Sequence, residues 1–418
     1  MKVLLKTATL IDPGGKFSNQ TADVLIEEGV ISAIEPNIDT KGAEVIQLKN
    51  LHLSPGWLDL GTQAGEPGFE QRETLDTLAM AAVNGGYTAL AVFPNTDPVI
   101  QRRADIDSLL KKSESLPVKI LPIGAATQNC EGQNLNEYMD MAVSGAVAFS
   151  DGRNSIADSG ALSRALIYAT AANKPVINRP LHRNFSPFGV INEGLENLKL
   201  GLEGIPSEGE TIALQQDISV HRYSEGRLIE LGITSEQSID LIKNRNPEMF
   251  FGVPVMNLLF TDSELSEFDT YCKVLPPLRS GRDQKALIKA VKKGIIDIVF
   301  SNHEPMEAEL KEVEFGAAAF GASTLDTAFS MGWTALHRDL SIEDYIRLIC
   351  HNPYRALSME PGKIEVGEVA DLSVFNPSEK ITIGRGEIKS RSLSNPSIGK
   401  QLMGKVYGTV IGKEINLI

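Results

Sequence analysis

An alternation along the middle of the chain limits the fold more than any other feature. Eight short apolar segments have strand character: Gly56–Leu60, Tyr87–Phe93, Val118–Ile123, Ala146–Phe149, Pro175–Ile177, Leu228–Ile233, Met249–Val253 and Ile295–Phe300. Such runs are too short for helices, and their near-continuous apolar character suits strands covered on both faces. Amphipathic stretches separate several of them, at Leu75–Val83, Ser159–Ala171, Ser235–Lys243 and Asp283–Lys293. Strands and helices that alternate build a parallel sheet, which is either closed as a barrel or open and doubly wound. The count of eight, and the lack of a glycine fingerprint after the first strand, favour an α/β fold of the (β/α)8 TIM-barrel type over residues 55–355.

The two ends read differently. Val3–Ile11 is β-rich and runs into the turn Asp12-Pro13-Gly14-Gly15, and Glu27-Glu28-Gly29 separates Val24–Ile26 from Val30–Ile34 as a hairpin would. Asp371–Phe375 alternates polar with apolar residues, and Lys405–Ile411 leads into a Gly412-Lys413 turn. One small β domain assembled from residues 1–54 and 356–418 is expected.

Composition excludes several classes of function. The chain has 418 residues, 42% of them apolar and 22% charged, as a folded globular protein would. Its 54 acidic and 40 basic side chains give a net charge of −14, which argues against binding nucleic acid or anionic membrane. Three cysteines cannot form a disulfide framework. Lys6 interrupts the apolar start with no cleavage site after it, and no apolar run is long enough to span a bilayer. A cytoplasmic protein, without membrane or nucleic-acid partners, is expected.

In a barrel, chemistry sits where strands run into the following loops. The positions to inspect are Gly61-Thr62-Gln63, Asn95-Thr96, Ser150-Asp151, Asn178-Arg179, Gly232-Ile233-Thr234 and Ser301-Asn302-His303-Glu304. The six histidines are His52, His182, His221, His303, His337 and His351, and no two lie within four residues of each other. No His-x-His on a strand, no i, i+4 pair on a helix and no C-x-x-C is therefore present to seed a metal site. Only His303 stands at a strand end. There is no G-x-S-x-G elbow, and Gly316–Gly321 has phosphate-loop spacing without the lysine.

Pro55-Gly56-Trp57-Leu58-Asp59-Leu60-Gly61-Thr62-Gln63-Ala64-Gly65-Glu66-Pro67-Gly68 resembles the P-G-h-h-D-x-H-x-H-x-R-E-P-G pattern (h apolar) of the dihydroorotase family, in the amidohydrolase superfamily. Gly85-Gly86-Tyr87-Thr88 with Phe93-Pro94-Asn95-Thr96-Asp97-Pro98, Gly145–Asp151, Pro276-Pro277-Leu278-Arg279 and Gly367–Leu372 match further motifs in order. The resemblance implies a metal-dependent-hydrolase barrel with a β-sandwich-like terminal domain, and zinc-assisted closing or opening of the dihydroorotate ring in pyrimidine biosynthesis. It also places the family's zinc-ligand positions at Gly61, Gln63, Arg179 and Gly232, its catalytic Asp at Asn302 and its carboxylate-binding Arg at Gly65. Asp151 and Asn95 keep the family's residue types.

Without imidazoles, zinc has no evident ligands, and without zinc no bound water is acidified from about 15.7 to roughly 7. An amide at 302 cannot act as general base. The expectation is a dihydroorotase-like protein with no cofactor and no catalysis, in a structural or regulatory role. It would be homo-oligomeric, with aspartate transcarbamoylase as the partner implied by the family. Arg179 is expected either to fill the vacated region and pair with Asp151 or simply to point to solvent. Gln63, Asn95, Arg179 and Asn302 are the candidate ligand contacts. Two alternatives stand beside this. One is an active dihydroorotase or other cyclic-amide hydrolase that works through Asp151, His303 and Glu304, with help from Glu66 and with zinc. The other is a binding barrel whose polar, largely uncharged mouth of Thr62, Gln63, Asn95, Thr96, Asn178 and Asn302 takes a small neutral ligand.

Overall fold

A computed structural model describes residues 2–418. All eight apolar segments form strands, here β1 (Trp57–Thr62), β2 (Tyr87–Val92), β3 (Lys119–Ala125), β4 (Ala148–Ser150), β5 (Val176–Asn178), β6 (Leu228–Leu231), β7 (Met249–Pro254) and β8 (Ile298–Phe300). They pair in chain order, every pair parallel, with helices between them, as the barrel reading requires. Side-chain oxygens accept the first orphan N–H groups at the helix starts: Thr74 for Leu75–Gly85, Asp158 for Ser159–Ala171, Ser235 for Glu236–Ile242 and Ser280 for Gly281–Lys292.

Among the described residues no backbone ladder joins β8 to β1. A carboxylate closes that seam. Asp59, fully buried on β1, accepts from the Ser301 N–H at 2.7 Å, from Ser301 Oγ at 2.6 Å and from Thr62 Oγ1. One backbone bond, Gln63 N–H to the His303 carbonyl at 3.0 Å, continues the closure at the mouth.

Eight strands from both ends of the chain form a second sheet. Its strand His52–Pro55 lies between Lys2–Leu10 on one side and Asp371–Thr382 on the other, with Ser54 opposite Ser373. The sheet has its own apolar cluster, including Leu5, Val24, Ile31, Leu53, Leu372, Val374 and Val410. No helix of the described residues is long and apolar enough to cross a membrane.

One buried pair makes stability depend on pH. Glu230 of β6 meets Asp217 of the helix Ser207–Ser224, both enclosed, and they can satisfy each other only by sharing a proton. Asn178 Nδ2 also donates to Asp217, at 3.0 Å. Burial pushes Asp217 up to about 7, and burial together with the Asp217 charge pushes Glu230 upward. A raised carboxyl pKa means the native state holds more protons than the unfolded chain. Its contribution is therefore complete below the ordinary carboxylate range and is lost as pH rises through about 7. Denaturation midpoints are expected to fall between about pH 6 and about pH 8. Glu230→Gln should flatten that dependence, and equal slopes in both proteins would refute the shared proton.

Candidate functional site

The loops beyond the strand ends enclose a cleft of about 360 Å³, lined by Phe69, Arg72, Asn95, Thr96, Val99, Arg153, Asn154, Arg179, Leu275, Glu304 and Phe320. Local turns fix its walls. Arg72 follows the loop after β1 and donates from Nε to Glu307 at 2.8 Å while covering the Phe69 ring. Arg153, two residues past Asp151, pairs with Glu304 at 2.5 Å. Asn95 links the walls: its Nδ2 donates to the Asp151 carbonyl at 3.0 Å, and its Oδ1 accepts from the Arg153 N–H at 2.9 Å and Gln63 Nε2 at 3.4 Å.

Arg179, at the end of β5, is only 3% exposed. One terminal nitrogen donates to Asn302 Oδ1 at 2.8 Å and the other to the Leu275 carbonyl at 3.3 Å, while its carbon lies 5.7 Å from the centre of the Phe93 ring. Asn302 in turn donates to the same carbonyl at 3.2 Å. Nε has no hydrogen-bond partner among the described residues. Burial lowers the guanidinium to about 10, Glu304 opposes that and Arg153 adds to it, so Arg179 is cationic at neutral pH. Its bonded partners are all neutral oxygens. Glu304, the acid whose field acts on it, is already bonded to Arg153.

The expected Arg179–Asp151 pair does not form. Asp151 turns to the loop after β3, where it accepts from the Thr127 N–H at 2.8 Å, Thr127 Oγ1 at 2.5 Å and the Gly132 N–H at 3.1 Å. Burial raises its pKa to about 6, although those bonds pull it down. A carboxylate with three donors needs no guanidinium, which leaves Arg179 to the Asn302 amide. Nor is the mouth largely uncharged. Three arginines line it, while Asn178 faces Asp217 and the Ile156 N–H, and Thr62 is tied to Asp59.

The acids and the histidine of the catalytic alternative do not converge. His303 is fully buried outside the cleft lining, its Nδ1 accepting from the Thr324 and Leu325 N–H groups at 3.1 and 3.2 Å. Its Nε2 lies 3.4 Å from Glu73. Glu304 lines the cleft as the partner of Arg153, and Glu66 pairs with Lys112 at 2.9 Å and accepts from the Leu75 N–H at 3.2 Å.

The chain's residues do not fit a zinc ion at the positions the resemblance implies. Gly61 and Gly232 carry no donor, Gln63 is bonded to Asn95, and Arg179 is itself a cation. Both glycines have left-handed backbone, with φ of +109° and +112°. A Cβ on Gly61 would stand 3.2 Å from ring carbons of Phe300 and Phe93 and 3.4 Å from Leu231, and one on Gly232 would stand 2.9 Å from Pro276. At both positions an added side chain would meet hydrocarbon already in place. Among the described residues no group of three His, Cys, Asp or Glu gathers as a metal site would.

Comparison with known proteins decides the family. Residues 51–224 match the dihydro-orotase-like family and residues 234–412 the amidohydrolase family. The chain is 34% identical over 422 aligned residues to the dihydroorotase of Thermoanaerobacter sp., covering 99% of this chain and 97% of that protein. The chain belongs to the dihydroorotase family. A second relative, the dihydroorotase of Acetivibrio thermocellus, is 32% identical, with 99% and 98% of the two chains covered. Among solved structures, the L-hydantoinase (dihydropyrimidinase) from Arthrobacter aurescens superposes with a TM-score of 0.86 at 20% identity, over 100% of this chain and 97% of that one. The dihydropyrimidinase from Brevibacillus agri gives 0.81 at 20% identity, over 98% and 94%. These neighbours share the amidohydrolase barrel, as the dihydroorotase-family motifs implied.

The motifs located the mouth but did not reveal Arg72 and Arg153, which supply two of its three cations. Arg153 could have been suspected from its place just past a strand-end Asp. Arg72 carries no signal in the sequence, because a loop folding back over the barrel brings it to the cleft.

Proposed function

We propose that this chain is a dihydroorotase-family protein of pyrimidine biosynthesis that does not carry out zinc-dependent ring chemistry. It serves instead in a structural or regulatory role, with aspartate transcarbamoylase as the partner the family implies. One observation carries the reading: a buried guanidinium stands at a family ligand position, bonded to the amide that replaces the catalytic Asp. A dication beside it would be repelled strongly in so dry a place. Asp151, the surviving acid, is already held by Thr127 and Gly132.

Purified protein is expected to hold no stoichiometric zinc by elemental analysis and to neither form nor open dihydroorotate. Turnover abolished by a chelator would overturn the proposal. Pull-down from the native cell should recover aspartate transcarbamoylase, and its absence from repeated pull-downs would remove the partner from the reading. Self-association is part of the same proposal. Met139, Val143, Ile167, Tyr168 and Tyr223 are exposed on the adjoining helices Tyr138–Val143, Ser159–Ala171 and Ser207–Ser224. We take these exposed apolar side chains as the candidate contact surface between copies. Light scattering should give a multiple of the 45.3 kDa chain.

A further inference from the structure

We infer that residues 316–321, in the loop after β8, form a gate over the cleft whose closed position is set by two buried lysines. This is the run with phosphate-loop spacing but no lysine. Its folded form reverses phosphate-loop chemistry: carbonyls, not N–H groups, converge on a charge, and the lysines come from outside the run. Lys273 Nζ donates to the carbonyls of Phe315 at 2.7 Å and Gly316 at 3.1 Å. Lys311 Nζ donates to those of Gly321 at 2.8 Å, Ala319 at 2.9 Å and Lys273 at 3.3 Å. The Gly321 N–H returns a bond to the Lys273 carbonyl at 3.0 Å. Lys273 Nζ also lies 5.0 Å from the centre of the Phe320 ring, and Phe320 lines the cleft.

Closure is costly and lightly held. Lys273 is 2% exposed and Lys311 is fully buried, and neither has a carboxylate partner among the described residues. Burial lowers both to about 8; on Lys311, Glu304, Asp269 and Cys272 oppose that and Lys273 adds to it. Both are thus cations at neutral pH, held out of water by carbonyl dipoles and aromatic rings where a countercharge would ordinarily be needed. The run has no helix or strand of its own, and three alanines and Phe320 are its side chains, so little apolar burial fixes it. Glycines bound it, Gly321 with a φ of +131°, and buried Phe315, against Phe268, anchors its near end. Opening would wet both ammonium groups and withdraw Phe320 from the cleft wall, at the loss of carbonyl bonds that water can replace. Loops that gate sites come from such locally weak segments. The gate holds whether or not the protein turns over a substrate.

Hydrogen exchange at neutral pH, resolved by residue, tests the wild-type protein first. The Ala319 and Gly321 amides, bonded to the Leu310 and Lys273 carbonyls, should exchange by local opening, well ahead of the amides of β7 and β8. Lys311→Met leaves buried carbonyls without a donor and should speed their exchange roughly tenfold or more, as should Lys273→Met, with the strands unchanged. Exchange of both amides only as slow as that of the strands would overturn the gate. Entry is read separately. The three native cysteines are buried, so Val99→Cys puts one reactive thiol in the cleft lining. Relative to a free thiol, a bulky maleimide should label it more slowly than iodoacetamide does. Adding Lys311→Met should speed the bulky reagent roughly tenfold and leave the small one unchanged. Looser amides with unchanged labelling would make the lysines purely structural and overturn the inference. The wild-type exchange decides the matter even if a lysine variant fails to fold.

Discussion

Replacing Gly61 with histidine is expected to destabilise the protein by about 2–5 kcal/mol without creating a zinc site. The backbone there has a φ of +109°, which a side chain other than glycine's adopts only under strain. The new Cβ would also press on Phe93, Phe300 and Leu231, which fill the barrel interior at that height. Those residues are fully enclosed and cannot move aside without disturbing their neighbours. The same outcome is expected for Gly61→His combined with Gln63→His, even though the pair restores the spacing of two ligands. Urea denaturation and zinc titration check this together. Stoichiometric zinc binding at wild-type stability would show that the packing yields easily and that the metal site was only two residues away.

Asp59→Ala should cost about 3–5 kcal/mol, since it removes a buried carboxyl acceptor and leaves its donors unpaired. Where seven strand pairs are joined by backbone ladders, the junction of β8 with β1 rests on this carboxylate and its bonds to Ser301 and Thr62. Asp59→Asn should cost less, because one oxygen can still accept from the Ser301 N–H while the amide nitrogen faces the hydroxyls. Equilibrium unfolding of the three proteins gives the ranking. A loss below about 1 kcal/mol for the alanine variant would mean that packing alone closes the barrel.

The barrel was legible because its physics is local. Each strand is a short apolar run, and four of its helices begin beside a Thr, Asp or Ser that caps them. The site was legible only by position. Motif order placed Asp151 and Arg179 at one mouth, but it could not show that Thr127 and Gly132 had already taken the acid. Hydrogen bonds between loops of different strands depend on how those loops fold back, and spacing along the chain carries no record of that. Asn302 is the instructive residue. Its sequence reading as a lost base is sound chemistry, while its role as the acceptor for Arg179 emerges only when β5 and β8 stand around the same axis.

The terminal sheet sets a timetable for folding as the chain is made. The strand His52–Pro55 needs Asp371–Thr382 as its neighbour, so a sheet begun by residues 2–55 is finished only after residues 371–417 have been made. Until then that strand keeps an open edge, the kind of edge that recruits other chains. The long sequence separation also makes this the slow pairing of the molecule. Nascent chains stalled before residue 371 should therefore be the aggregation-prone species, even with every barrel strand already synthesised.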